Sequence, residues 1–348
     1  MSERLGIGVI GCGVMGRSLV QGLAGIEEAR LVAVADVKEE AIRELLAHWT
    51  AEMEKRGTPI DPKEVRTYST AQELVRDKGV EAVLIATPGF LHREAAEAAA
   101  QAKKHIFSEK PLATTVADCD AMLQAAEKAG VVLMVGQVCR FHAVHRKVKE
   151  LVAEGAIGEP ICLTVHRLGG RWGGVWRQSW RMRRALCGGA LMEVNAHELD
   201  WARWVMGEVR RVFAMGRNFI NPEQDYPDVA LVTLEFVSGA LGWLHSSQAS
   251  ELGGYGARVD GREGSIFIPS FWGSEAGLRY KRQGAEAQWI PASSLTVEPP
   301  VQAELRAFVE AVRCGSEPPV TGWDGRMAVA IAEAAYRSIE TGRPEEVP

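Results

Sequence analysis

Lys110, Glu193, His197 and Asp200 are the residues whose types and spacing suit proton transfer to and from an alcohol. Glu193 and His197 stand four apart behind Gly188-Gly189, and Asp200 follows three residues later. A helix opening at that glycine turn puts Glu193 and His197 on one face, with Asp200 near it. Histidine titrates near neutral pH, which suits a general base in oxidation and a general acid in reduction. Glu193 would orient His197, favour its charged form or bind a neighbouring hydroxyl. Lys110, in Glu109-Lys110-Pro111, would donate a hydrogen bond to the reacting oxygen and stabilise its developing charge. Blander readings stand beside these. The weaker readings are a strand-end surface lysine for Lys110 and a satisfied structural histidine for His197. Asp200 suits helix-face hydrogen bonding as readily as substrate binding. Glu193 and His197 also have the spacing of a metal pair, but no second ligand pair is evident and this chemistry needs none, so no metal is assigned.

These side chains handle only the proton of a secondary alcohol; something else must take the hydride. The N-terminus supplies a candidate holder. An apolar run, Leu5 to Ile10, leads into Gly11, Gly13 and Gly16 at G-x-G-x-x-G spacing. A helical stretch opens at Val14 and Met15, and a second apolar run, Leu31–Ala35, ends in Asp36. Strand, turn, helix, strand and acid in this order form a dinucleotide-binding unit. Gly11 permits the sharp turn, Gly13 lets the backbone approach a pyrophosphate, and Gly16 allows close helix packing. The helix N-terminus at Val14-Met15 offers N–H groups and a partial positive charge to phosphates. The Asp36 carboxylate would accept both ribose hydroxyls and repel a 2′-phosphate, so NAD is expected rather than NADP. The alternative is a glycine-rich turn in another α/β protein.

The elements that must position these groups follow from the pattern. Over the first 120 or so residues apolar strands alternate with helical stretches, with helices expected at 38–55, 71–75, 93–102 and 116–128. That predicts a doubly wound parallel sheet. Thr87-Pro88, His92 and Glu109-Lys110-Pro111 all follow strands, at the sheet end where ligands bind. Glu109 would hold Lys110 or contact the nicotinamide ribose. His92 reads as cofactor-adjacent or structural. From Pro160 the strands (161–167, 209–215, 229–236, 241–248, 257–259, 265–268) have short turns between them, which predicts a mixed or antiparallel sheet. Helices at 302–312 and 325–339 close the chain. The expected fold is therefore α/β: a Rossmann domain over 1–125, then an α+β domain over 126–348 carrying a large mixed or antiparallel sheet. The C-terminal helices are free to pack back on the first domain. The interface between the domains is the natural place for a site. His142 and His145 are expected on a helix surface.

Composition excludes several classes. A chain of 348 residues, 47% hydrophobic and 24% charged, is long enough for two soluble domains. Its formal charge of −5 gives no general case for nucleic acid or membrane affinity, and no run approaches the roughly 18 to 20 apolar residues of a membrane span. Met1-Ser2-Glu3-Arg4 leads straight into the first strand, leaving no room for a signal peptide, so a cytoplasmic location is expected. Cys12, Cys119, Cys139, Cys162, Cys187 and Cys314 form no Cys-x-x-Cys pair and read as reduced thiols.

Taken in order, the glycine fingerprint, Thr87-Pro88 with His92, Glu109-Lys110-Pro111, Trp180-Arg181 and the stretch bearing His197 and Asp200 resemble the Gfo/Idh/MocA oxidoreductases, which include glucose–fructose oxidoreductase and myo-inositol dehydrogenase. Each motif is weak alone; the ordered set, spanning residues 8 to about 200, is specific. The resemblance implies a Rossmann domain followed by a mixed-sheet domain whose open face often supports dimers or tetramers, so a homodimer or homotetramer is expected. It implies NAD(P)-dependent oxidoreduction of sugars, inositols or related polyols. It places Gly11, Gly13, Val14, Met15, Gly16, Asp36, Thr87, Pro88, His92, Glu109, Lys110, Trp180 and Arg181 at the cofactor. With Lys110, Glu193, His197 and Asp200 the expected substrate contacts also include Arg167 and Trp172 from the stretch described next, and the resemblance implies a cis Lys110–Pro111 peptide. One departure stands out: the family usually carries Asp four residues before the helix histidine, where this chain has Glu193.

Between Pro160 and Met192 there is no acid, while six arginines (Arg167, Arg171, Arg177, Arg181, Arg183, Arg184) interleave with Trp172, Trp176 and Trp180. Oligomer contacts, or partners for acids elsewhere, are one reading. A pocket wall is the other: indole faces suit the C–H faces of sugar rings and guanidinium forks suit anions, giving a polyol or sugar substrate with an anionic group. Two further functions remain open: a non-catalytic dinucleotide-sensing regulator on the same fold, and a reductase of a dihydrodiol, biliverdin-like or imine substrate.

Overall fold

The structure, a computed structural model, describes residues 4–295 and 297–348. Met1, Ser2 and Glu3, taken from sequence as leading straight into the first strand, lie outside the described residues. The chain divides into two compact units, Met1–Val138 with Glu298–Arg326 and Cys139–Val297 with Met327–Pro348.

The first unit is built from β1 (Leu5–Ile10), α1 (Val14–Leu23), β2 (Ala29–Ala35), α2 (Glu39–Lys55), β3 (Arg66–Tyr68), α3 (Ala71–Leu74), β4 (Ala82–Ile85), α4 (His92–Gln101), β5 (His105–Glu109), α5 (Val116–Ala129) and β6 (Leu133–Gly136). The strands pair in parallel in the order β3-β2-β1-β4-β5-β6. Every residue of β1 and β4 is buried, the continuous apolar pattern of strands covered on both faces. The chain reverses its winding between β1 and β4, and the carboxyl ends of those strands are where the glycine turn and Thr87-Pro88 emerge. The sequence division at 125/126 falls inside α5; the pairing of β6 with β5 carries the first unit on to Val138.

The second unit begins with α6 (Ala143–Ala153), β7 (Pro160–Leu168), α7 (Arg184–Cys187), α8 (Ala190–Glu193) and α9 (Ala196–Met206). It continues through β8 (Val209–Arg217), β9 (Val229–Phe236), β10 (Leu241–Ser247), β11 (Gly254–Gly261), β12 (Gly264–Ser270), β13 (Gly277–Arg282) and β14 (Gln288–Pro291). Then come α10 (Pro300–Cys314), which belongs to the first unit, α11 (Gly322–Thr341) and β15 (Glu345–Glu346). The sheet runs β14-β13-β12-β11-β7-β10-β9-β8-β15. β7 and β10 pair in parallel; the other pairs are antiparallel. β9 and β10 alternate buried with exposed residues, so one sheet face is covered and the other open. β13, β14 and β15 go beyond the sequence expectation, because charge (Arg279, Lys281, Arg282) or shortness hides their period of two.

Two expectations are corrected here. Glu193 and His197 do not share one helix: α8 ends at Glu193, and α9 starts at Ala196. His145 is not on the surface. It is fully buried, stacked on Phe271 with ring centroids 3.9 Å apart and bonded through Nε2 to the Tyr255 hydroxyl at 2.9 Å. Burial drives its pKa well below the ordinary histidine value, so it packs as a neutral aromatic. The apolar partners come from Trp201, Tyr255 and Phe271, far along the chain and invisible to local periodicity.

Candidate active site

In the first unit the three glycines answer to different demands. Gly11 has φ +95°, and a Cβ there would lie 2.7 Å from the Thr87 backbone nitrogen. At Gly16 a Cβ would meet the Gly11 carbonyl oxygen at 2.1 Å. Both are therefore required by the protein's own packing. At Gly13 a Cβ would meet nothing within 4 Å. Gly13 is also the N-cap of α1, which has no side-chain cap and no acid in its first turn. The N–H groups at Val14 and Met15 thus open onto space that suits a pyrophosphate. Asp36 sits at the end of β2. Its Oδ2 accepts from the Cys12 N–H at 2.8 Å and its Oδ1 from the Lys38 N–H at 2.9 Å. Each oxygen keeps a lone pair for a ribose hydroxyl. Burial, reinforced by the Asp36 charge, pushes the Cys12 thiol up to about 12, so Cys12 is an inert packing residue. These residues fit a bound NAD.

The strand-end groups are tied together around His92. This ring is buried; its Nε2 lies 2.8 Å from the Thr87 carbonyl and its Nδ1 lies 2.9 Å from the Pro111 carbonyl. His92 thereby links the loop after β4 to the turn after β5. The Thr87 hydroxyl oxygen is buried without a hydrogen-bond partner among the described residues, and Pro88 leads into the turn before α4. Glu109 is buried and accepts from the Lys110 N–H at 3.1 Å. Lys110 is half-buried, and the Lys110–Pro111 peptide is cis.

In the second unit Gly189 has φ +80°, and a Cβ there would strike the Tyr336 hydroxyl at 2.1 Å. The same hydroxyl accepts from the Leu191 N–H at 3.1 Å, which fixes the turn before α8. Glu193 is buried and accepts from Arg181 Nε at 2.9 Å. The Arg181 guanidinium lies over Trp180, Trp176 and Trp172 at 4.2, 5.2 and 5.5 Å. Trp172 donates to the Tyr226 hydroxyl at 3.1 Å, which donates to the Arg181 carbonyl at 2.6 Å. The tryptophans expected to face a sugar thus surround an internal cation. The arginines pair likewise: Arg167 with Glu198, Arg177 with Glu223 and Arg184 with Glu340, while Arg183 donates to the Glu223 carbonyl. Five of the six arginines thus have partners within the protein, as the partner reading of this stretch expects.

Of Asn195–Arg203, His197 alone is not buried. Its neighbours explain why it is held. Glu198 is fully buried, accepting from Asn195 Nδ2 at 2.8 Å and from Arg167 Nη1 at 3.1 Å. Asn195 in turn accepts from the Ser246 hydroxyl at 2.6 Å. A satisfied polar network on either side of His197 fixes the start of α9. Asp200 lies in a buried bidentate pair with Arg140, at 2.7 and 2.6 Å, the kind of helix-face bonding set beside substrate binding in the sequence reading. Sequence reasoning missed Arg140, Asn195, Glu198 and Ser246. The run of polar residues among apolar ones from Asn195 to Asp200 is the signal that points to the network; Arg140 carries none.

The parallel sheet, the glycine turn and Asp36 define an NAD-binding Rossmann oxidoreductase. Residues 5–137 match the oxidoreductase family with an NAD-binding Rossmann fold, and residues 145–267 match the GFO/IDH/MocA C-terminal domain. The chain belongs to the Gfo/Idh/MocA family of oxidoreductases. It is 33% identical over 343 residues to the myo-inositol 2-dehydrogenase of Thermotoga maritima, covering 97% of each chain. With the scyllo-inositol 2-dehydrogenase (NAD(+)) of Bacillus subtilis it shares 30% identity over 364 residues, covering 100% of this chain and 97% of that one. The crystal structure of aldose-aldose oxidoreductase from Caulobacter crescentus complexed with glycerol superposes with a TM-score of 0.84 at 30% identity, covering 99% of this chain and 100% of that one. Among the described residues no helix is long and apolar enough to cross a membrane.

Proposed function

We propose that the chain is an NAD-dependent dehydrogenase of a neutral polyol, an inositol or a related sugar, with Lys110 and His197 as its catalytic pair. The observation that carries the cofactor half is Gly13: the fold requires Gly11 and Gly16, whereas a Cβ at Gly13 would meet nothing within 4 Å among the described residues. The relatives named as inositol dehydrogenases support the substrate class. The pairing of Arg167, Arg177, Arg181 and Arg184 with glutamates favours a neutral substrate over an anionic one.

Gly11, Gly13, Val14, Met15, Gly16 and Asp36 would hold the cofactor, with Thr87, Pro88 and Glu109 at the neighbouring strand ends. Bound NAD supplies the hydride acceptor for oxidation and, reduced, the donor for the reverse. His197 takes the hydroxyl proton during oxidation and returns it during reduction, as a half-buried imidazole on a fixed helix start can. Lys110 donates to the same oxygen and offsets the charge that builds as the proton leaves. Glu193 would orient His197, with its own carboxylate held by Arg181 Nε. The open sheet face exposes Phe213, Met215, Leu231 and Trp243 on adjacent strands, which supports self-association into a homodimer or homotetramer.

The test is steady-state kinetics with NAD and an inositol panel. His197→Ala is expected to lower turnover by roughly 10² to 10⁴ while NAD affinity by titration stays similar. Near-parental turnover in that variant removes His197 from proton transfer. Tight NAD binding without turnover of any polyol favours the regulator reading.

A further inference from the structure

α10 returns to the first unit and buries an acid beside the Glu109-Lys110-Pro111 turn. It packs on α1: the Gly25 carbonyl accepts from Gln302 Nε2 at 3.2 Å and from Arg306 Nη2 at 3.1 Å. It also meets β5, where the Phe107 and Phe308 rings sit edge to face at 5.8 Å. Residues two apart on a strand share a face, so Glu109 points the way of Phe107. Residues four apart on a helix share a face, so Glu304 points the way of Phe308. The contact between the phenylalanines therefore turns Glu304 and Glu109 toward each other. Gly136, paired with Glu109 across β5 and β6, leaves the room: a Cβ there would lie 3.3 Å from Glu109 Oε2.

Glu304 is 1% exposed, and its Oε2 has no hydrogen-bond partner among the described residues. An isolated carboxylate at such a site is costly, whereas a protonated carboxyl gives Glu304 a donor to turn toward a neighbouring carboxylate. Lys110 follows Glu109 at the strand end, and three arginines near α10 have partners elsewhere. Arg17 on α1 pairs with Glu44 at 2.6 Å, Arg306 on α10 pairs with Glu298 at 2.9 Å, and Arg313 donates to the Glu28 carbonyl at 3.3 Å. His105 lies at the far end of β5. Burial, and then the charge of Glu109, holds the Glu304 carboxyl well above the ordinary glutamate range.

We propose that Glu304 is a positioning residue: a buried, protonated acid that donates a hydrogen bond to the Glu109 carboxylate and fixes it beneath the Lys110 backbone. Glu304 touches no reacting atom; it acts through Glu109, and so on where Lys110 points. The proposal rests on the assignment of Lys110 to the reacting oxygen, but its protonation state is testable without turnover.

The decisive measurement is infrared spectroscopy of the whole protein at pH 7. The carbonyl-stretch band of a protonated carboxyl is expected in the parent and lost in Glu304→Gln. Kinetics follow. Glu304→Gln keeps a donor and is expected to retain kcat within about threefold. Glu304→Leu removes it and is expected to lose about tenfold to hundredfold in kcat, the size of a lost hydrogen bond to a charged group, with KM for the polyol little changed. Absence of the band, or a Glu304→Gln variant as impaired as Glu304→Leu, overturns the proposal. If the band is present and sensitive to Glu304→Gln while the parent oxidises no polyol, the dehydrogenase reading fails and the protonated Glu304 stands.

Discussion

Replacing Asp200 by Asn tests whether this acid serves the substrate or the fold. The Asp200 carboxylate takes Arg140 Nε at 2.7 Å and Nη2 at 2.6 Å, and the side chains are 1% and 6% exposed. Trp204 covers the guanidinium at 5.5 Å. Asn keeps the shape but removes the charge and turns an amide N–H₂ toward a group that can only donate. Breaking a buried pair from one side leaves an uncompensated charge and costs about 3–5 kcal/mol. For a unit of this size each kcal/mol moves Tm by about 2–4 °C, so a fall of roughly 6–20 °C is expected by circular dichroism. Arg140→Met with Asp200→Leu removes both charges at once and is expected to recover most of that loss, because well-packed apolar groups often replace a buried pair without penalty. In the folded fraction, KM for the polyol should change less than about threefold, since a buried pair contributes no differential binding. A Tm within 2 °C of the parent, together with a KM raised more than about tenfold, would return Asp200 to the substrate and refute its assignment to the core.

Two other expectations are accessible to simple assays. Asp36→Ala removes the acceptor that both ribose hydroxyls need and the partner of the Cys12 and Lys38 N–H groups; parallel kinetics with NAD and NADP should show NAD preference falling by about ten- to hundredfold, and a parent that already prefers NADP contradicts the role given to Asp36. Met215→Asp places a charge on the open apolar face opposite Leu231 and should shift light-scattering mass from an oligomer to a monomer; a monomeric parent sinks the assembly reading.

The sequence by itself determined the first unit almost residue by residue. Its strands are short continuous apolar runs, its turn glycines sit at fixed offsets and Asp36 ends a strand, so period and spacing are local properties that survive without coordinates. Lys110 and His197 could be proposed for the same reason: each sits beside a motif of adjacent residues. The sequence also named Glu193 and Asp200, but not what they do. A carboxylate's role depends on which cation reaches it, and Arg140 lies 60 residues from Asp200 while Arg181 belongs to a separate turn before Glu193. The break of the 190–200 stretch at Val194-Asn195 needed the polar network of Ser246 and Arg167 to become visible. The same holds for His145, buried by residues more than fifty positions away, and for Glu304, buried where α10 meets both the end of α1 and β5. Local spacing fixes which groups are present; tertiary packing decides their partners, and partners decide charge and role.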